Sequence, residues 1–194
     1  MGGSLDRLAV VVRPVNGYHP RVPIFPYNPN SPEGLAARWV QWAAATGPWR
    51  NPLLDRTGRY AHMRQPKDVW FLAGCFGGTV ERRCTVPSDR PLFMPAFNMW
   101  CPNGTYIPPM PCAHGTVHVD GQQHPVVTID AATMFDVRGA LLNPVTRVRR
   151  AVPMRVWGIW ALVDQLSPGA HTVRMDGTDG HGFTVTATYH LVTR

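Results

Sequence analysis

The stretch VWFLAGCFGGTVERRCTVPSDRPLFMPAFN, residues 69–98, constrains the fold of this chain more than any other. It opens on an unbroken apolar run, Val69-Trp70-Phe71-Leu72-Ala73, too short for an ordinary helix and bounded by Gly74. Such a run reads as a buried strand. The Gly77-Gly78 pair predicts a tight turn, and the return leg Thr79–Val86 is more polar, as one exposed face requires. Pro87-Ser88-Asp89 then turns the chain into a third apolar leg, Leu92-Phe93-Met94. The expectation is a three-stranded meander at the centre of an all-β domain.

Twenty prolines and eighteen glycines in 194 residues argue for many short strands joined by turns and against a helical bundle. Seven Trp, seven Phe and a hydrophobic fraction of 44% supply the material of a single buried core. The expected fold class is all-β: a β-sandwich of jelly-roll or Ig-like type, with one helix packed on it and an extended proline-rich arm. Residues 1–32 form the first strand and the arm, and 33–194 the sandwich.

Leu8 to Val12 is the first expected strand. Residues 18–32, YHPRVPIFPYNPNSP, hold five prolines and cannot donate a full ladder of hydrogen bonds. Tyr18, Val22, Ile24, Phe25 and Tyr27 still give this arm apolar area, so the expectation is an assembly arm that covers itself against a neighbouring subunit. A helix follows over 32–46. Ser31 can cap it, Pro32 suits its first position, Glu33 its positive end, and Gly47-Pro48 stops it. Leu35, Trp39, Trp42 and Thr46 share one side at helical spacing. The two tryptophans read as packing onto a sheet rather than as a sugar platform.

Downstream, Asp120-Gly121 predicts a hairpin between Thr116–Val119 and Pro125–Ile129. Ser167-Pro168-Gly169 and a Gly/Asp turn at 176–182 separate strands at Arg155–Val163, His171–Met175 and Phe183–Val192. Residues 131–147 carry no clear periodicity.

The formal charge of +7 rests on eighteen Arg and one Lys, Lys67. Arg147, Arg149, Arg150 and Arg155 make the only dense basic patch. It suits phosphate, an anionic surface or an acidic partner, against the plainer reading of a dispersed excess set by GC-rich coding. No stacked aromatics accompany it, so specific nucleic-acid binding is not expected. Four cysteines lie between Cys75 and Cys112 without a C-x-x-C pair. Cys101 and Cys112 bracket PNGTYIPPMP, a loop that a disulfide would close.

His114 and His118 fall on one face of a strand, with His124 returning across the hairpin; with Asp120 they are the candidate metal ligands. Exposed hairpin histidines are the alternative, and no cofactor is expected. Asp176-x-x-Asp179 resembles a calcium turn but equally an ordinary Gly/Asp turn. The chain has no G-x-S-x-G and no glycine loop that opens a helix to cradle phosphate. With only Glu33 and Glu81, a glycosidase pair would have to draw on Asp55 or Asp130, which nothing in the sequence brings together.

The Trp39-x-x-Trp42 helix, Asn51-Pro52, Asp55-x-Thr57-Gly58, Gln65, VWFLAG, Arg83-Cys84-Thr85-Val86-Pro87 and LSPGAHTV resemble a family of uncharacterised bacterial proteins, usually exported. The resemblance implies no activity. Where that family places a cysteine this chain has Ala61-His62, and the N-terminus lacks the leader pattern. LSPGAHTV also resembles the penultimate hairpin of Ig-like modules. The function expected is a non-catalytic structural or binding subunit, extracytoplasmic or on a virion surface, such as a phage capsid-decorating or tail-surface protein. Its partner is a protein, a homo-oligomer or a lattice, with no membrane insertion. The alternatives are an exported hydrolase or metal-dependent enzyme and a glycan-binding module.

Overall fold

A computed structural model describes residues 24–103 and 105–194. The expected strand Leu8–Val12 and the arm residues Tyr18 and Val22 lie outside the described residues. The described chain is a β-sandwich with one helix on its outside. One sheet has four strands in the order β1 (Trp70–Phe71), β3 (Leu92–Pro102), β7 (Val152–Val163), β6 (Val127–Val137). The other has five, in the order β2 (Gly78–Val86), β9 (Thr184–Thr193), β8 (Gly169–Thr178), β4 (His114–Val119), β5 (Gln122–His124).

Helix α1 (Pro32–Ala44) ends two residues before the expected boundary. The Ser31 hydroxyl accepts from the Gly34 amide, and Pro32 fills the position where no amide is needed. Past its end, the buried Asn51 side chain donates to the Ala43 and Thr46 carbonyls, which the helix leaves without partners. α1 lies on the outer face of the four-stranded sheet, where Trp39, Trp42, Phe71, Phe93, Phe135 and Trp160 form one core. Trp39 is fully buried and donates from Nε1 to the Leu72 carbonyl at 2.9 Å; Trp42 donates to that of Met63. These tryptophans pack the helix, and no sugar platform exists there.

A second core fills the space between the sheets, from Leu92, Met94 and Ile159 on one side to Val117, Val173, Tyr189 and Leu191 on the other. The four-stranded sheet is therefore covered on both faces, and its strands read as continuous apolar runs. Where β3 bulges between Pro95 and Phe97, it meets the other sheet so closely that a side chain at Gly177 would sit 2.2 Å from the Ala96 carbonyl oxygen.

The expected meander does not form. β1 and β3 pair side by side in parallel, at Trp70↔Leu92 and Phe71↔Phe93, while β2 crosses to the other sheet and pairs in parallel with β9. Both turns were correctly placed, but each carries the chain from one sheet to the other. The hairpin does form on Asp120-Gly121, both in left-handed backbone. Its second strand is only Gln122–His124; after Pro125 the chain leaves for the other sheet as β6. The C-terminal strands are those expected, the first two longer (β7, β8) and the last, β9, shifted by one residue so that Phe183 falls outside it. Residues 131–147 divide between the end of β6 and a loop.

The part of the arm that is described lies on its own domain. The Ile24 amide donates to the Asp136 carboxylate, the Asp136 amide donates to the Ile24 carbonyl, and Tyr27 donates to the Thr133 carbonyl. Phe25 and Tyr27 pack edge-on to Phe135. These apolar side chains, assigned to a neighbour on sequence grounds, instead protect the free edge of β6. Ile24 keeps 45% of its surface exposed.

Because Trp39 joins the helix to the apolar run, Trp39→Ala should cost about 3–5 kcal/mol, from the lost area and the cavity it leaves. Urea denaturation followed by circular dichroism measures this. An unchanged midpoint would mean that the helix does not depend on this contact.

Candidate functional site

One cleft is lined by β6, β7 and residues 106–111 of the loop before β4. It measures about 570 Å³. β7 contributes Arg155 and Trp157, β6 contributes Asp130 and Ala132, and the loop contributes Tyr106 and the prolines around Met110. Side-chain alternation explains the set. Met154, Val156 and Trp160 face the helix, so Arg155 and Trp157 must face the other way. Asp130 is paired across from Trp157, which places a carboxylate beside an indole.

Arg155 Nε is buried and has no hydrogen-bond partner, and Asp130 forms no ion pair among the described residues. Tyr106 is 67% exposed at the mouth, and Trp157 rests edge-on against Phe97. Aromatic faces beside an unsatisfied guanidinium and a carboxylate are the elements of a binding cleft. Asp130 is the only carboxylate among its described lining residues, which therefore do not supply the pair that glycoside hydrolysis requires. Asp55, the other carboxylate considered, is held elsewhere by the Tyr60 and Thr57 amides and the Thr57 hydroxyl. Burial alone would raise its pKa, but these bonds and nearby Arg82 outweigh it and lower the carboxyl below the usual range.

A second, narrower slot of about 80 Å³ opens along β3. Beyond Phe93 no described strand pairs with β3 on the side of β1. There Cys75 and Phe76 form one wall, and Phe97, Asn98 and Trp100 the other. Phe76 and Phe183 rim it at 51% and 43% exposure, and Asn98 Nδ2 is buried without a partner.

The four cysteines are free thiols, so no bridge joins Cys101 to Cys112. The loop between them is tied instead by Thr105 donating to Pro102, Asn103 to Pro153 and Ala113 to Met110. Burial pushes the Cys84 thiol up to about 12, which removes it as a nucleophile at neutral pH. No described Ser, Thr or Cys side chain donates to a histidine, so the nucleophile–base contact of covalent catalysis is missing among the described residues.

The metal reading of the hairpin fails on geometry. His114 and His118 share the outer face but stand four residues apart along a strand, roughly 13 Å. His124 is paired opposite Val117, which points inward, so it belongs to the other face. Asp120 is already bound to His171 and to the Thr172 amide. No three His, Cys, Asp or Glu side chains converge among the described residues. The calcium reading fares no better. Asp176 binds Arg174 and Thr186, while Asp179 accepts from the His181 and Phe183 amides to close its turn. The basic patch also divides: Arg155 enters the cleft, whereas Arg147, Arg149 and Arg150 are exposed on the β6–β7 loop.

Sequence reading did not single out His171. Its Nδ1 lies 2.7 Å from Asp120 and its Nε2 2.8 Å from the Ser167 carbonyl, both of them acceptors. Only the imidazolium can donate to both. The hydrogen bond to Asp120, then that to Ser167, raises the His171 pKa; reciprocally, His171 and the Thr172 amide lower that of Asp120. A raised histidine pKa gives stability that is complete below its unfolded value, near 6.5, and lost as pH rises through the folded value. The lowered carboxyl gives stability present above about pH 4 and lost on further acidification. The stability gap between wild type and His171→Ala should therefore be widest between about pH 4.5 and 6.5 and shrink on the alkaline side. Thermal melts across that range test this, and a pH-independent gap would show that the imidazolium bridge is not formed.

No family model matches the chain, and no curated protein or solved structure is significantly similar to it.

Proposed function

We propose that this protein is a non-catalytic β-sandwich subunit that works by presenting surfaces, as a structural or binding component of an extracytoplasmic or virion-surface assembly such as a phage capsid-decorating or tail-surface protein. The observation that carries this reading is the β3 slot. On the side of β1, the edge of β3 over residues 95–102 has no partner among the described residues and offers backbone groups for pairing. Two half-exposed phenylalanines rim it, and the Asn98 amide is left with an unmade hydrogen bond. Burying such rims is a common way for a subunit to lock onto a neighbour. Sedimentation velocity over a range of concentrations should show a species heavier than the 21.5 kDa chain, and Phe76→Ser should return it to monomer. A monomer throughout, unaltered by Phe76→Ser, would sink the self-assembly form of this proposal.

Glycan binding is the second reading, favoured by the cleft. Trp157 and Tyr106 offer sugar-stacking faces, and Arg155 and Asp130 offer a donor and an acceptor for hydroxyls. In affinity electrophoresis through gels containing bacterial cell-wall polysaccharide, wild type should be retarded and Trp157→Ala should run freely. Equal mobility of the two proteins would remove the cleft from the account.

A further inference from the structure

The end of the molecule where α1 stops is built unlike the rest of the surface. Trp49, in the single 3-10 turn Pro48–Arg50, is 89% exposed. Leu141 and Leu142, on the β6–β7 loop, are 51% and 62% exposed. Backbone contacts bring the two loops together. The Ala140 amide donates to the Ala44 carbonyl, and a side chain at Gly47 would stand 3.4 Å from the Leu141 carbonyl oxygen. Arg50 and Arg64 flank Trp49 around one shallow depression, and Arg147 makes no ion pair among the described residues, while its carbonyl receives the Leu142 amide.

The charge here is one-sided. Segments 45–67 and 137–151 together hold nine of the nineteen Lys and Arg residues and one of the twelve carboxylates, the buried Asp55. The loop is also held rigidly. Asn143 is fully buried; its amide donates to the Ala140 carbonyl and the Thr146 hydroxyl and accepts from the Val145 and Thr146 amides. Against that anchor Leu142 stands at φ 59° and Arg147 at φ 61°, with Arg64 at 55° on the adjoining segment. Leucine and arginine gain nothing locally from left-handed backbone, unlike Asn103 and Asp120, the other two non-glycine residues found there. Strain of this kind persists where the geometry it produces is used.

We propose that this end of the sandwich docks on the surface of an anionic lipid bilayer. Trp49, Leu141 and Leu142 enter the headgroup region, and Arg50, Arg64 and Arg147 pair with lipid phosphates. The apolar side chains are mostly exposed around a shallow depression rather than a deep groove, so they suit an acceptor that yields around them. Tryptophan and arginine are both at home at the boundary between acyl chains and water. The arginine ring, whose segments carry no carboxylate but the buried Asp55, complements a negative surface potential. No described helix is long and apolar enough to cross a membrane, so this is peripheral docking and not spanning. The inference is independent of the β3 slot and of the glycan cleft.

Co-sedimentation of the full chain with vesicles tests it, using phosphatidylcholine alone and phosphatidylcholine with one third phosphatidylglycerol. Wild type should pellet with the anionic vesicles, weakly or not at all with the neutral ones, and less as salt is raised. Arg50→Gln/Arg147→Gln should bind roughly thirtyfold more weakly, at about fivefold for each cation near the surface. Trp49→Ala/Leu142→Ala should bind on the order of tenfold more weakly while melting like wild type, since both side chains lie outside the core. Failure of wild type to pellet with anionic vesicles overturns the proposal. So does undiminished binding of the Trp49→Ala/Leu142→Ala variant, which would reduce the effect to adsorption by net charge. Displacement from the vesicles by poly-glutamate without any loss in the apolar variant would identify an acidic protein as the partner, and overturn it too.

Discussion

The guanidinium of Arg82 is 1% exposed, and the arrangement of both sheets depends on it. It sits on β2 among apolar neighbours, where an uncompensated charge would be prohibitive. Each of its three nitrogens therefore has a partner. Nε reaches the Asp55 carbonyl at 2.6 Å, Nη1 reaches Ala73, Gly74 and the Tyr189 hydroxyl, and Nη2 reaches Leu53. The group also lies over the Tyr189 ring at 5.3 Å. These partners come from the loop after the helix, the exit from the apolar run, and β9. One planar fork thus fixes where three separate segments meet β2, which lysine, with a compact ammonium, could not do. Burial pushes the Tyr189 phenol up, so it remains a neutral donor and acceptor within the network.

That hub explains why β2 leaves its neighbours in sequence. As a meander strand, β2 would have placed Arg82 within the four-stranded sheet, whose two faces are both dry. Crossing to the other sheet lets Val80 and Val86 face the inter-sheet core while Arg82 reaches sideways to the carbonyls of the 51–60 loop. The Arg83 amide then donates to the Thr57 carbonyl, and Gly58, at φ 87°, lies where any side chain would strike the Arg83 backbone. The outer edge of β2 is covered by this contact, as an edge of nine residues needs to be.

Elements governed by neighbouring residues were legible in the sequence. The Ser31 cap, the Pro32 start, the Asp-Gly turn and the alternation of the last strand act within a few positions, and each appears in the fold as expected. Pairing between distant segments left no comparable mark. Arg82 reads as one more polar residue on a return leg, because its five partners lie 8 to 107 positions away. The parity that sends His124 to the opposite face from His118 depends on a hairpin register that composition does not encode. Several resemblance motifs turn out to be structural for the same reason. Asn51 closes the helix end, Gln65 bonds both the amide and the carbonyl of Phe71, and Asp55 shapes the loop that receives Arg82. Trp157 and the Leu141-Leu142 pair were visible as apolar residues beside arginine, a signal that gains meaning only once burial is known.

The same distribution of burial decides where function can reside. The polar network of Arg82 in the middle of the molecule is engaged with the chain's own groups. Unsatisfied polar atoms remain in the cores, at Trp160 Nε1 and Trp70 Nε1, and also occur at Arg155 beside the loop 105–113 and at Asn98 beside the slot, while the turn that Asn143 holds in place is strained. The strained turn is borne by a loop whose backbone the buried Asn143 side chain anchors. Such anchoring has an energetic consequence. A left-handed leucine or an orphaned amide destabilises by roughly 1–3 kcal/mol, which a marginal loop cannot absorb alone. Here the cost is offset by a four-bond asparagine beneath the loop and by the tryptophan-rich layer beneath the asparagine. The rigid interior is thus the condition for exposed surfaces that would otherwise relax, and their persistence argues that the energy stored in them is used in contact with something outside the chain.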